Sequence, residues 1–249
     1  MTHPDHFAVI ADIHGNVDAL RAVLADIRDQ GTSTILNLGD HFSGPLAAGE
    51  TADLICNHDM LSIRGNHDRW LIEISPDQQS GSEAAAYRQL SAAHLLWLQQ
   101  LPATMVLGDI LMCHGTPGSD TDYLMERINA DGEIHLDSSE CIARRAGSTG
   151  ATLILCGHTH VARRIDLPDG RTVLNPGSVG CPGYISDNPR RHRVQSGSPC
   201  ASYAIVTRQE TGWKTALRTV PYNPARMISL AQNSNRPAWA PLLQTGWLS

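Results

Sequence analysis

Two closely spaced histidines follow a short apolar run in the middle of the chain. The run Leu153–Cys156 leads directly into the motif GHTH at 157–160, and such a run is typical of a buried strand. A hydrophobic core does not need imidazoles, because their ring nitrogens require partners. A metal ion uses them, and residues two apart in an extended chain point the same way. The pattern therefore predicts that His158 and His160 bind metal where this strand ends.

Four other predicted strands end in side chains of the same kinds. In α/β sheets, ligands bind outside the carboxyl ends of the strands, so we expect these side chains to converge with the two histidines. The four strand ends supply Asp12 and His14, then Asp40, then Asn66, His67 and Asp68, and finally His114.

The donor atoms are carboxylate or amide oxygens and imidazole nitrogens. That mixture suits Mn, Fe, Zn or Ni rather than a structural zinc held by thiolates. Cys113 and Cys156 stand beside predicted ligands, but strand alternation points Cys113 away from His114. Seven donors are too many for one catalytic ion, and they suit two ions that share a carboxylate; the seven are Asp12, His14, Asp40, Asn66, His114, His158 and His160. Two metals about 3.5–4 Å apart can clamp the attacking and leaving oxygens of a displacement at phosphorus.

The elements that must position these residues alternate along the first half of the chain. The order β-α-β-α-β predicts a parallel sheet covered by helices. One longer helix, Glu83–Leu101, is expected to follow and to stop at Pro102. The predicted elements before it are strands over Phe7–Ala11, Thr34–Leu38 and Met60–Arg64 and helices over Val17–Asp29 and Ala47–Cys56.

The second half of the chain carries hairpin signals instead. The stretch Gly118–Asp137 has few structural signals, and Gly183–Pro199 is expected to be a mobile loop. Residues 220–249 are predicted to form a helical tail that packs on a single domain spanning residues 1–249. The predicted hairpins join Ala103–Leu107 to Ile110–Cys113, Arg163–Leu167 to Arg171–Leu174 and Ala201–Thr207 to Trp213–Thr219, and a short helix ends at Ala146.

Composition narrows the class of protein. The net charge is −6 and the sequence pI is about 6.0, so there is no basic field for a nucleic-acid backbone. No apolar stretch approaches a membrane span, and the N-terminus lacks the pattern of a secretory signal. We therefore expect a cytoplasmic protein whose six cysteines are reduced thiols and whose partner is a small molecule. The oligomeric state stays open.

The motif blocks D-x-H, G-D, G-N-H-D, a single H and G-H-x-H occur here in that order over Asp12–His160. In this they resemble the calcineurin-like metallophosphoesterase superfamily. The block NPGSVG at 175–180 resembles the corresponding block of the small prokaryotic phosphodiesterases in that superfamily. The resemblance extends over at least residues 7–220. It implies an α/β fold, the four-layer αββα sandwich, with a dimetal site at the C-terminal ends of the strands.

The resemblance also implies a role for each residue. Asp40 would bridge two divalent transition-metal ions, with Mn the first expectation and Fe, Zn or Ni the alternatives. His67 would not bind metal but would protonate the leaving oxygen after in-line attack by a bridging hydroxide, and Asp68 would hold its ring. By resemblance, Asp12, His14, Asp40 and His160 bind the first metal, and Asp40, Asn66, His114 and His158 bind the second.

The expected substrate is a small phosphate ester, with phosphodiesters and nucleotides first. A serine/threonine protein phosphatase and a dinucleoside polyphosphate hydrolase are the alternatives, and a non-catalytic scaffold or nuclease subunit fits less well. Ser43 and Gly44 stand where the protein phosphatases have an aspartate and an arginine. For Arg190 and Arg191 two interpretations are open: they reach a phosphate or a base of the substrate, or they belong to a solvated loop. Five further histidines have no motif around them and are expected to be structural or exposed. They are His41, His58, His94, His135 and His192.

Overall fold

Two five-stranded sheets form the centre of the structure, a computed structural model that describes residues 4–248. In the first sheet the spatial order is β14 (Gly212–Val220), β13 (Ala201–Gln209), β1 (His6–Ile10), β2 (Ile35–Asn37) and β3 (Leu61–Ser62). In the second it is β4 (Thr104–Leu107), β5 (Ile110–Cys113), β8 (Leu153–Leu155), β10 (Thr172–Asn175) and β9 (Arg163–Asp166).

Strand β1 shows how the layers stack. It runs parallel to β2, with Val9 paired to Leu36. Phe7 and Val9 belong to the core between the two sheets, whereas Ala8 and Ile10 belong to the core under the first set of helices. This alternation is the period of an extended chain buried on both faces. The expected αββα sandwich is therefore confirmed.

Helices cover the outer face of each sheet. Asn16 begins the first of them by accepting a hydrogen bond from the backbone N–H of Ala19 at 3.1 Å, as a helix cap does. Among residues 4–248, no helix is long and apolar enough to cross a membrane. The first sheet is covered by α1 (Val17–Asp29), α2 (Ala48–Cys56), α3 (Asn66–Glu73), α4 (Gly81–Tyr87) and α5 (Ala92–Gln100), and the second by α6 (Ser139–Ala146).

The predicted single helix over Glu83–Leu101 is wrong. The chain instead forms α4 and α5, because Ser91 caps a new helix by accepting the backbone N–H of His94 at 3.2 Å. Gln89, between the two helices, donates from its side chain to the carbonyl of Leu46 at 3.0 Å. The break lets α4 lie beside α3 at the candidate site.

Two segments without predicted structure form hairpins. The stretch Gly118–Asp137 contains β6 (Glu126–Ile128) and β7 (Ile134–Leu136), which pair antiparallel. The predicted loop Gly183–Pro199 contains β11 (Gly183–Ser186) and β12 (His192–Gln195). The second hairpin is fixed by a buried His192, whose Nδ1 lies 2.8 Å from the carbonyl of Arg190.

The C-terminal segment, predicted as a helical tail, forms α7 (Ala225–Asn233) and α8 (Trp239–Thr245). Met227 and Leu243 are buried in one cluster with Val17 and Leu46. These contacts hold the segment against the beginning of α1 and the loop before α2.

Candidate metal centre

Five of the predicted ligands have an unusual backbone conformation. They have positive φ angles between 49° and 67°, a range that favours glycine. Such residues cost about 1–3 kcal/mol each and cluster at functional sites. The strained residues are Asp12, His14, Asp40, His158 and His160.

The first group of donor atoms lies where β1 and β8 end. Nε2 of His14 is 3.3 Å from Nε2 of His160. Oδ1 of Asp12 is 3.4 Å from the same nitrogen of His160, and it is a buried oxygen without a hydrogen-bond partner in the described structure. Buried carboxylate oxygens are normally satisfied. A cation among these atoms would satisfy this one.

The second group lies where β3, β5 and β8 end. Nε2 of His114 is 3.3 Å from Oδ2 of Asp40. One end of the Asn66 amide lies 3.1 Å from Nε2 of His114 and 3.0 Å from Nδ1 of His158. With its oxygen at this end, the amide could bind a cation among the same three side chains.

Asp40 connects the two groups through one oxygen. Its Oδ2 faces His114 and also lies 3.7 Å from Nε2 of His14. Its Oδ1 accepts the backbone N–H of His67 at 3.0 Å. The geometry suits a carboxylate shared by two ions, although the assignment of all seven ligands stays a prediction.

Each of the four histidines uses one ring nitrogen for a backbone carbonyl. This arrangement fixes the ring and leaves the other nitrogen for a metal. The hydrogen-bonded pairs are Nδ1 of His14 with Ser43 at 2.8 Å, Nδ1 of His114 with Leu38 at 2.8 Å, Nδ1 of His160 with Cys181 at 2.7 Å and Nε2 of His158 with Thr121 at 3.0 Å.

The electrostatics of the cluster favour positive charge beside the two aspartates. Burial lowers the pKa of His14 to about 4 and that of His158 to about 3, so both rings are neutral. Burial also lowers the pKa of His114, but Asp40 outweighs it and raises that pKa to about 9. Burial opposes ionisation of Asp40, yet His114 and His67 hold its pKa well below the usual range. Divalent cations would supply the same charge.

His67 lies beside the donor groups, in contact with a carboxylate that sequence patterns do not single out. Its Nδ1 is 2.5 Å from Oε1 of Glu83, on α4. Oγ of Ser43 is 2.9 Å from the same Glu83 oxygen and 3.3 Å from the His67 nitrogen. Burial lowers the pKa of His67, but Asp40 and Glu83 together raise it above its usual value. Glu83 belongs to no sequence motif. It reaches the site through the packing of α4, which a local sequence pattern does not reveal.

The prediction that Asp68 holds the ring of His67 is wrong. The Asp68 carboxylate accepts the backbone N–H groups of Gly65, Asp40 and His41 at 2.8–3.0 Å. It also lies 2.7 Å from Nδ1 of His41. These four contacts hold the Asp68 carboxylate against the backbone of the loop that contains Asp40. Asp68 and the buried His41 therefore position Asp40, the predicted bridging residue.

A cavity of about 570 Å³ opens over both donor groups. Arg190 and Arg191, predicted to contact substrate, do not line it. Arg190 donates to the carbonyl of Asn129 at 3.3 Å, and Arg191 lies 3.9 Å from Asp187 with 76% of its side chain exposed. Sequence reasoning missed the following lining residues: Cys181, Trp70, Tyr123, Tyr184, Trp239 and Arg236.

Comparisons with known proteins agree with this geometry. The model of the calcineurin-like phosphoesterase superfamily domain matches residues 6–207. The uncharacterized protein MJ0912 of Methanocaldococcus jannaschii is 27% identical over 256 residues, covering 93% of this chain and 94% of that protein. The structure of a metallophosphoesterase from Sphaerobacter thermophilus is 26% identical, with a TM-score of 0.75 and coverage of 97% of this chain and 100% of that chain.

A second solved structure shows the same fold at lower identity. Hypothetical protein PH1004 from Pyrococcus horikoshii OT3 has a TM-score of 0.73 at 17% identity, with coverage of 98% of this chain and 99% of that one. The family match includes every predicted metal ligand and both central sheets up to β13. The chain therefore belongs to the calcineurin-like phosphoesterase superfamily, the metal-dependent phosphoester hydrolases.

Proposed function

We propose that this protein hydrolyses small organic phosphate esters, phosphodiesters and nucleotides above all, with two divalent metal ions. The observation that carries the proposal is the position of Asp40, whose Oδ2 faces both donor groups at the floor of the cavity. A carboxylate shared by two ions would hold them as close together as two-metal catalysis needs, about 3.5–4 Å apart. The buried Oδ1 of Asp12, which has no hydrogen-bond partner among residues 4–248, supports the same reading.

We assign the two ions to the two groups of donor atoms. When bound, two such ions would supply an activated nucleophile and neutralise charge on the phosphoryl group. Oxygen and imidazole donors suit manganese, iron, zinc or nickel, and manganese is the first expectation from the family resemblance. Asp12, His14, Asp40 and His160 would hold the first ion, and Asp40, Asn66, His114 and His158 the second.

His67 is the proton donor in this proposal. Glu83 engages Nδ1, so Nε2 is the nitrogen that can protonate the leaving oxygen. The raised pKa of His67 favours the imidazolium that a general acid must be. T-shaped contact with Trp70, at 4.7 Å between ring centroids, holds the imidazole from a second side. Asn66 would orient the phosphoryl oxygens through its amide.

The walls of the cavity support an organic, ring-containing ester. Trp70, Tyr123, Tyr184 and Trp239 all line it. Aromatic side chains stack on nucleobases, which gives about 1–3 kcal/mol per base at single-strand binding sites. The negative net charge of the chain argues against a long nucleic-acid substrate. Nucleotides and their diesters therefore fit both the predicted metal ligands at the base of the cavity and its aromatic walls.

The proposal is tested on protein stripped with a chelator and reloaded with Mn, Fe, Zn or Ni. We expect phosphoesterase activity to return with metal in a screen of phosphomonoesters, phosphodiesters and dinucleoside polyphosphates. Asp40→Asn should abolish that activity and leave fewer than two metals per chain by elemental analysis. Asp77→Asn, the same change at an exposed aspartate, is the matched control, and its metal content should stay near two. Two retained metals in Asp40→Asn, or full activity without metal, would refute the proposal.

A further inference from the structure

The cavity wall contains a single arginine or lysine among the residues that the structure describes. It is Arg236, which lies between α7 and α8. The C-terminal segment that carries it lies beyond residues 6–207, the part of the chain that matches the family model. Within residues 4–248 its guanidinium forms no ion pair, whereas Arg69 and Arg145 are each paired to a carboxylate. A positive charge at this cavity is thus available to a ligand.

Arg236 lies near the residues that act on the leaving group in the proposed mechanism. Its Nη2 lies so close to Gly81 that a Cβ placed on that glycine would be 2.6 Å away. Gly81 begins α4, the short helix that also carries Glu83. Glu83 holds the ring of His67, the proton donor to the leaving oxygen in the proposed mechanism. Arg236 therefore lies toward the leaving-group side of the cavity.

The segment around Arg236 is anchored at both ends. On one side, Oγ of Ser234 donates to the carbonyl of Pro45 at 3.2 Å. On the other, the backbone N–H of Leu248 donates to the side chain of Gln195 on β12 at 3.2 Å. Trp239 and Leu242, between these anchors, are apolar parts of the same wall. Because the backbone of this wall is held at both ends, substrate binding has to order only the arginine side chain.

We propose that Arg236 is a specificity residue that binds an anionic group on the leaving portion of the substrate. The inference rests on the proposed phosphoesterase function and narrows its substrate class. A guanidinium recognises phosphate oxygens with two parallel N–H donors, which a lysine cannot do. The favoured substrates are phosphate esters whose leaving group carries a second phosphate, with Trp239 available for an organic part beside it.

The test compares two substrates that release closely related alkoxides. They are propyl phosphate and propane-1,3-diyl bisphosphate, together with their methyl diesters so that either a monoesterase or a diesterase is covered. Only the bisphosphate leaving group carries a second anion. We expect Arg236→Ala to lower kcat/KM for the bisphosphate by about 10- to 100-fold, the value of a hydrogen bond to a charged group. For propyl phosphate, kcat/KM should change by less than about twofold, since its leaving group carries no anion that could bind Arg236.

Controls separate this role from damage to the wall. Arg236→Lys keeps the charge and should recover part of the loss, and unchanged near-ultraviolet circular dichroism would show that the segment stays folded. Arg28→Ala removes an exposed arginine from the last turn of α1 and should leave both substrates unaffected. Equal losses on both substrates, no loss on either, or an equal loss in Arg191→Ala would overturn the assignment. Wild-type protein inactive on every ester would instead refute the proposed function.

Discussion

Oε1 of Glu83 lies 2.5 Å from Nδ1 of His67, and Ser43 donates its hydroxyl to the same carboxylate oxygen. The contact fixes which ring nitrogen is free to move a proton, and it raises the pKa of His67 against the effect of burial. An orienting carboxylate behind a proton-transferring histidine is a general arrangement in enzymes. Here that carboxylate comes from a different helix than the histidine.

Replacing Glu83 should therefore affect substrates according to their leaving groups. General acid catalysis contributes about 10²- to 10⁴-fold, and Glu83→Gln should remove part of it, about 10-fold or more, for an alkyl or nucleotide ester. A nitrophenyl ester, whose leaving group needs no proton, should lose much less. The measurement is kcat/KM for both esters, with metal content determined on the same preparation.

The double variant provides the control. If Glu83 acts only through His67, adding Glu83→Gln to His67→Asn should cause no further loss on the alkyl ester. His67→Asn alone should cost about 10²- to 10⁴-fold on that ester, with both metals retained. Equal losses on the two esters in either single variant would assign the pair to phosphate binding instead.

Asp68 should contribute to stability and to the position of Asp40 rather than to proton transfer. Asp68→Asn would turn an amide N–H₂ toward backbone N–H donors that now bind a carboxylate. We expect a loss of about 2–4 kcal/mol in the free energy of unfolding, because buried donors lose their acceptor. Urea denaturation of the metal-free protein measures it. A stable variant with the leaving-group dependence expected of Glu83→Gln would contradict this account.

Tyr184 is not a predicted metal ligand, but we expect it to affect the affinity for the second ion through its contact with His158. Its hydroxyl donates to the backbone carbonyl of His158 at 3.0 Å and lies 2.6 Å from the hydroxyl of Tyr123. Residues that hold metal ligands from behind typically change metal affinity by about 10–100-fold when replaced. We expect Tyr184→Phe to weaken binding of the second Mn²⁺ ion by about 10-fold in a calorimetric titration.

Tyr203→Phe is the matched control for that measurement. The Tyr203 hydroxyl contacts Asp26 at 2.5 Å, in the contact between β13 and α1. Its loss should lower stability and leave the affinity for both ions unchanged. Identical metal titrations for Tyr184→Phe and wild type would remove Tyr184 from the support of the metal centre.

The sequence predicts the features of this site that local pattern determines. Apolar runs mark the strands, and the Asp, Asn and His residues that follow them come together because parallel strands end at one edge of a sheet. The prediction for Asp68 is wrong for a geometric reason. Successive residues of a helix point about 100° apart, so Asp68 on α3 turns away from the ring of its neighbour His67.

Residues brought in by packing between distant segments could not be predicted. Glu83 reaches His67 because α4 ends at Tyr87, before Ser91 caps α5, and lies beside α3. Arg236 likewise reaches the cavity because the C-terminal segment folds back across the molecule. Arg190 and Arg191 attract attention in the sequence as a charged run, yet β11 and β12 form a hairpin that carries them out of the cavity.

An ion pair far from the metal centre should make stability depend on pH. Arg208 donates from its guanidinium to both oxygens of Asp109, one at 3.1 Å. Asp109 lies in the turn between β4 and β5, whereas Arg208 belongs to β13, so the pair joins the two sheets. Hydrogen bonds from Arg208 lower the pKa of Asp109 to about 2. An aspartate in an unfolded chain has a pKa of about 3.9.

Because the folded pKa lies below the unfolded one, the pair stabilises the protein above about pH 4, and this contribution is lost as the pH falls toward about 2. Asp109→Asn should lower the free energy of unfolding by about 1 kcal/mol at pH 6, since solvent screens a partly exposed pair. The difference between wild type and variant should shrink toward pH 2. Urea denaturation across this range measures it, with Asp77→Asn, an exposed aspartate, as the control. A difference that stays constant with pH would show that Asp109 contributes through packing and neutral hydrogen bonds alone.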